Sequence, residues 1–400
     1  MIILICAAFG LWAWCRKNGN KDEPPAYPES LPLIGHAHLL CGDSVQLWNR
    51  LKEFCNESFK AGGVVSVSIG PRTIYAITDP EDCLTVANTC LQKDNFYEFG
   101  KAWVGEGLLT GAVPIWKDHR KLLNPSFSQV VLDGFLDVFN KQARRLVKDL
   151  AEEVGKGPFD HWVYTRHNAL ETICLTALGV DHTDKTILNS QYVDAVEQML
   201  NVFLDRFQKF WLHNNFIYSL SSLKKKQDEY LKIIHNMSDT VLKKRKAGYL
   251  NNNNPKKVEK VQGLKFKPFM DLLLELAIEK GAFNDSEIRE HVDTMIAVGH
   301  DTSASVLMFS MLLVGSYPHV QQRIFEELND VFGDDDRDLT NMGRRNCIGK
   351  SYSYMFMKTT LAHLYRHFRV KGDHTKLQAK IDVMLRPESG YYITIERKKK

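Results

Sequence analysis

Cys347 stands in the run Gly343-Arg344-Arg345-Asn346-Cys347-Ile348-Gly349-Lys350, one thiol between two glycines with two arginines ahead of it. An apolar pattern at helical spacing follows, at Tyr352, Met355, Phe356 and Leu361. A thiol ionises readily only in positive surroundings, and arginines together with the N-terminal end of a helix dipole provide them. Glycine on each side lets the backbone approach a flat ligand closely. The segment reads as a site that stabilises a thiolate. Its plain alternative is a structural cysteine ahead of a helix, and the arginine neighbours weigh against that.

A second group, Gly299-His300-Asp301-Thr302-Ser303, lies between two apolar stretches. Ile288, Val292, Met295, Ile296 and Gly299 mark one face of a helix expected from about Asp285 to Ser316. Buried polar groups cost free energy unless they are paired. Glycine weakens a helix by about 1 kcal/mol relative to alanine. A threonine hydroxyl can bond the carbonyl one turn back and distort the helix locally. The combination predicts a cavity with ordered water in mid-helix, with a solvated kink as the alternative. A third, weaker group is Trp116 and Arg120, four residues apart and so on one helical face. An indole N–H and a guanidinium could together grip a carboxylate, although an ordinary surface helix has the same spacing.

The elements that must position these groups are mostly helices. From about residue 115 to 330 the pattern is helical, with Gly and Pro rare inside the periodic stretches. Val64 to Ile69 and Thr73 to Thr78, around Gly70-Pro71-Arg72, predict a β-hairpin, and Asp79-Pro80 starts a helix. Ile381 to Leu385 and Tyr391 to Glu396, around Pro387-Glu388-Ser389-Gly390, predict a second hairpin. The expected fold class is mainly α with small β-hairpins, in one body over residues 36–400.

Residues 1–15 are almost wholly apolar and are followed by Arg16 and Lys17. As a helix they span roughly 22 Å, short of the ~30 Å hydrocarbon core of a bilayer. Positive charge behind the apolar run fits a membrane anchor with a cytosolic body better than a cleaved leader. Residues 16–35 are charged and proline-rich, with Pro24, Pro25, Pro28 and Pro32, as expected of a stiff linker. The basic residues from Lys243 to Lys267 read as a solvated surface or as contacts to anionic lipid.

Composition closes off other classes. Of 400 residues, 44% are apolar and 25% charged, which excludes a disordered or fibrous chain. A net charge of +4 gives no argument for nucleic acid. The eight cysteines include no Cys-x-x-Cys pair, against a zinc ribbon or a thioredoxin-type site. His363 and His367 lack the intervening glutamate of a zinc-protease helix, and Gly105, Gly107 and Gly111 miss dinucleotide-loop spacing.

Together these segments resemble the cytochrome P-450 family of haem-thiolate monooxygenases over most of the chain. Gly343, Arg345, Cys347 and Gly349 match the haem-binding loop, and Gly299-His300-Asp301-Thr302 matches the oxygen-activating run of the long central helix. Gly105-Glu106-Gly107-Leu108-Leu109 with Trp116 to Lys121 is similar to the third helix and its approach. Pro24 to Gly35 is similar to the proline-rich hinge, and Leu385-Arg386-Pro387 to the terminal hairpin. The closest tone is that of insect microsomal members near the family-4 clade. Many of that clade carry a glutamate that bonds haem covalently where this chain has Val298.

The resemblance implies roles. Cys347 would be the axial ligand of the iron of haem b, its electron donation favouring O–O cleavage. Arg345, Trp116 and Arg120 would hold the haem propionates. Gly343 and Gly349 would shape the loop, and Gly299 would leave room for oxygen over the iron. Asp301 and Thr302 would organise proton delivery. Residues 95–110 and the helices between residues 193 and 242 would shape a substrate pocket. The resemblance also implies electrons from NADPH through a reductase, a small apolar substrate and contact with membrane lipid. The expected location is the endoplasmic reticulum membrane, on its cytosolic face, with no nucleic-acid partner.

Two departures accompany it. The haem loop of the family starts with a phenylalanine seven residues before the cysteine, and here that position is Thr340. The family also places a long segment with a Glu-x-x-Arg pair before that loop. No Glu-x-x-Arg occurs between Pro318 and Cys347, so a segment is expected to be missing at about residues 340–342. The fold is then incomplete near its C-terminal third and activity is expected to be impaired. A non-catalytic truncated isoform or a decayed paralogue is the alternative.

Overall fold

The structure is a computed structural model that describes residues 10, 23–70, 72–179, 190–251, 267–333 and 349–398. Along the chain run α1 (Ser44–Lys60), β1 (Val64–Ile69), β2 (Arg72–Ile77), α2 (Pro80–Thr89), α3 (Val113–Leu123), α4 (Leu136–Ala151), β3 (Phe159–Asp160) and α5 (Trp162–Leu178). There follow α6 (Ser190–Gln208), α7 (Ser222–Asn251), α8 (Phe269–Lys280), α9 (Asp285–Ser316), α10 (Pro318–Phe332) and α11 (Lys350–His367). The last elements are β4 (Phe368–Lys371), β5 (Ala379–Ile381), β6 (Leu385–Pro387) and β7 (Tyr392–Arg397). Two compact units result, Met1–Gln92 with Gln378–Ser389, and Lys93–Leu377 with Gly390–Lys400.

In the smaller unit, Asp43 caps α1 by accepting from the backbone of Val45 and Gln46, while the Gln46 side chain accepts from the Asp43 N–H. Such a capping box stabilises a helix start by about 1 kcal/mol. β1 and β2 pair as an antiparallel hairpin from Val64↔Ile77 to Ile69↔Arg72. Part of the proline-rich stretch lies along β1, where the N–H groups of Tyr27 and His36 donate to the carbonyls of Ser66 and Ser68. Tyr27, Leu39, Phe54, Val65 and Val67 form this unit's core.

The second expected hairpin does not form as read. Ile381 to Leu385 does not pair with Tyr391 to Glu396; instead β5 pairs with β6 in the smaller unit. The Asp382 carboxylate accepts from the Val383 N–H and turns the chain at residues 382–384. β7 belongs to the larger unit, between β3 and β4. Its alternation puts Ile393 and Ile395 into the core with Met311, Leu312 and Phe368, and that burial fixes the pairing.

The larger unit is built around α9. Asn284 and Glu287 form its capping box, and α5, α7, α8, α10 and α11 pack on it. Ile288, Val292, Leu307 and Met308 are fully buried, which accounts for the apolar stripe. Among the described residues α9 alone is long and apolar enough to cross a membrane, and more than half of that stretch is buried, as in a core helix.

Candidate functional site

The centre of α9 carries its polar groups without a break in the helix. Thr302 is half-buried and its Oγ1 donates to the Val298 carbonyl at 2.7 Å. His300 Nδ1–H donates to the Ile296 carbonyl at 2.6 Å. His300, Asp301 and Ser303 are buried. The back-bonding expected from the threonine is present, and the carbonyl it uses is the one directly before Gly299. A Cβ at Gly299 would lie 3.0 Å from Ile173 Cδ1, so this glycine lets α9 and α5 approach closely.

The first turn of α11 meets this segment. Ser303 Oγ donates to Ser353 Oγ at 3.3 Å, joining the residue after Thr302 to one six positions beyond Cys347. Tyr352 is fixed beside it: its hydroxyl bonds Thr176 Oγ1 at 2.8 Å, and Phe135 and Phe139 contact its ring edge-to-face. Aromatic pairs of this geometry contribute about 0.5–1.5 kcal/mol each beyond area burial. Gly349 caps α11, and a Cβ built there meets nothing within 4 Å among the described residues. Gly343, Arg345 and Cys347 lie outside the described residues, as do residues 1–9 and 11–22 of the expected anchor and linker.

Trp116 and Arg120 lie on α3, half-buried. Between them, His119 ties α3 to α9: its Nδ1 is 2.9 Å from His291 Nε2. The ring of Phe283 stands edge-on to both imidazoles. Burial, and secondarily the neighbouring His119, pushes His291 down to about 3. His291 is therefore neutral, and in this hydrogen bond one ring donates and the other accepts. The positions are 172 residues apart, so no local pattern reveals the link. Cys174 is fully buried, and burial holds its thiol protonated, against any ligand role. His363 bonds Asn140 and His367 bonds a backbone carbonyl, and no metal-binding cluster occurs among the described residues.

Residues 25–342 match the cytochrome P450 family. This chain belongs to that family. Among curated proteins it is similar to cytochrome P-450 4c3 of Drosophila melanogaster, 32% identical over 345 residues, covering 84% of this chain and 64% of that one. It is also similar to cytochrome P-450 4V2 of Homo sapiens, 31% identical over 361 residues, covering 87% and 68%. These matches place it in the family-4 clade. The chain spans roughly two thirds of the length of these relatives, 64% of the first. The fold matches the crystal structure of the cytochrome P450DA heme domain with a TM-score of 0.73 at 16% identity, over 94% of this chain and 97% of that one. The mainly helical P-450 fold with small sheets is thus observed.

The family implies a haem-thiolate cofactor, a redox partner and a substrate. Among the described residues, the groups that would meet a flat dicarboxylate macrocycle are these. A Cβ at Gly349, at the start of α11, would meet nothing within 4 Å among the described residues. An indole and a guanidinium, both half-buried, share one face of α3. The hydroxyl of Thr302 and the carboxyl of Asp301 lie on the helix bonded to α11 through Ser303.

Proposed function

We propose that this chain is a haem-dependent monooxygenase by descent, impaired as written. The observation that carries the reading is the Ser303–Ser353 bond, which sets the helix leading from Cys347 against the Gly299–Ser303 segment. When bound, haem b would activate dioxygen with electrons from NADPH delivered by a reductase, so that one oxygen atom enters a small apolar substrate. Cys347 would ligate the iron as thiolate, in a loop bounded by Gly343 and Gly349. Arg345, Trp116 and Arg120 would hold the propionates through charge-assisted and neutral hydrogen bonds. Asp301 and the Thr302 hydroxyl would hold and pass a proton, and Gly299 would keep side-chain bulk away from the oxygen side. Residues 36–400 would form a single haem-binding domain.

The extent of the family match supports the reading of impairment. The family match stops at residue 342, one residue short of Gly343. That is where the Glu-x-x-Arg segment is expected and absent, at about residues 340–342. A truncated, non-catalytic ligand-binding isoform is the second reading, favoured by the same observation. Residues 1–15 would anchor the protein in the endoplasmic reticulum membrane with its body in the cytosol. The body's own exposed Trp211, Phe216 and Leu220 supply apolar surface for lipid contact.

The test is the reduced carbon monoxide spectrum of the haem-reconstituted chain. Thiolate ligation gives a long-wavelength Soret band; Cys347→Ala is expected to abolish it and Cys174→Ala to leave it. An unchanged spectrum in Cys347→Ala would remove the ligand assignment.

A further inference from the structure

Arg206, near the end of α6, is buried at 6% exposure with no carboxylate against it among the described residues. Its guanidinium carbon lies 4.0 Å from the ring centre of Phe99 and 3.7 Å from that of Tyr218. Nε–H donates to the Leu212 carbonyl at 3.2 Å, and Nη2–H to Asn215 Oδ1 at 2.6 Å. The two flanking rings are themselves held: Phe99 packs on His213 at 5.1 Å, and the Tyr218 hydroxyl donates to Gln227 Oε1 on α7 at 2.5 Å.

A buried cation is stable only when its surroundings replace water. Here the replacement comes from two aromatic faces and two neutral oxygens. Only a planar guanidinium can present flat faces to two rings while its edge donates in two directions. A lysine ammonium, a compact point charge, cannot do so. The side chain thus gathers the Asn95–Gly100 turn, the Phe210–His213 turn, the short helix Asn215–Ser219 and the first part of α7.

We propose that Arg206 is a positioning residue that clamps the 95–100 turn to the 209–219 turn and so fixes one wall of the substrate pocket. The clamp stands on the geometry above; its link to a pocket rests on the functional reading that residues 95–110 and 193–242 shape that pocket. A merely local role, in which Arg206 only caps its own turn through Leu212 and Asn215, would not involve Phe99.

Hydrogen exchange on the full chain separates the two. Arg206→Met is expected to speed amide exchange at least tenfold in both 95–100 and 210–219, with residues 288–297 of α9 unchanged. Phe99→Leu, which leaves the Arg206 hydrogen bonds intact, is expected to speed exchange in 210–219 as well. The double variant should exchange no faster than the faster single. Tyr218→Phe keeps the ring and should leave 95–100 protected. Additive effects, or an unmoved 95–100 turn in Arg206→Met, would overturn the clamp. Binding of the uncharged apolar dye Nile red to the same variants tests the pocket. Weakened binding that tracks the exchange supports the proposal, whereas coupled exchange with unchanged dye affinity keeps the clamp and removes the pocket wall.

Discussion

Asp293 is fully buried on α9, where Ser238 Oγ donates to its Oδ1 at 2.5 Å and its Oδ2 has no hydrogen-bond partner among the described residues. Burial pushes its carboxyl from the ordinary 3.8 up to about 7, against the opposing pull of the Ser238 bond and of Arg289. His235 Nε2 stands 3.8 Å from Oδ2, and burial lowers the imidazole's affinity for a proton. Both shifts point away from charge, so near neutral pH this contact is largely not an ion pair despite its distance. An acid with a raised folded value stabilises the fold below its unfolded value, and that stability is lost as pH rises through the folded one. Stability from Asp293 is thus expected to fall between about pH 4 and pH 7, by on the order of 4 kcal/mol at most. His291 acts oppositely: its depressed value makes stability fall as pH drops from the ordinary 6.5 toward about 3. Urea unfolding of the parent and of Asp293→Asn at pH 5 and pH 8 isolates the first effect. The variant is expected to gain stability over the parent at pH 8 relative to pH 5, and equal differences at both would show that Asp293 does not titrate there.

The long helix shows what could be read ahead of the structure and what could not. Periodic apolar residues and the 299–303 interruption gave α9 its bounds, because a buried helix writes its face at a fixed period. The same rule misled at the C-terminus: both apolar runs were strand-like, but strand partners depend on distant burial, and Ile393 and Ile395 found theirs beside Phe368. Contacts such as His119–His291 and Ser303–Ser353 leave no local mark, since each side chain is ordinary in its own helix. Gly299 was legible as a special position, yet the neighbour that needs it, Ile173, is 126 positions away (299 minus 173). Gly299→Ala sets a helix-propensity gain of about 1 kcal/mol against the need for Ile173 to shift by a few tenths of an ångström. Gly299→Leu cannot be accommodated so cheaply and is expected to lower stability by about 1–3 kcal/mol. Adding Ile173→Ala should cost less in the leucine background than in the parent. Strict additivity in thermal or urea unfolding would show that the glycine does not govern the α9–α5 approach.

At the scale of the whole molecule the question is whether a chain spanning 64% of its first relative's length can complete the haem site. Only the 14 residues Gly333 to Asn346 separate α10 from Cys347, the proposed ligand, too few for the helix and meander that the family places there. In the family the missing glutamate and arginine pin the proximal side of the core. Losing one partner of such a buried pair costs about 3–5 kcal/mol; losing all of them together strands no charge, so packing dominates. α11 keeps its anchors in this structure, through Tyr352 on Phe135 and Phe139 and through Ser353 on Ser303. At its N-terminal end, a Cβ built on Gly349 would meet nothing within 4 Å among the described residues. Against a whole-domain stability of ~5–15 kcal/mol, the proposed loss of the segment would weaken haem retention before it dissolved the helical body. The expected outcome is therefore split. The 400-residue chain should show helical circular dichroism with cooperative unfolding, but low haem content and no efficient NADPH-dependent oxygenation with a reductase. A version carrying the corresponding segment of a family-4 relative between residues 340 and 343 should bind haem stoichiometrically and turn over. Paired expression of the two forms, scored by haem per chain, carbon monoxide spectrum and product formation, decides it. Equal haem content and turnover in both would show that the short connection suffices.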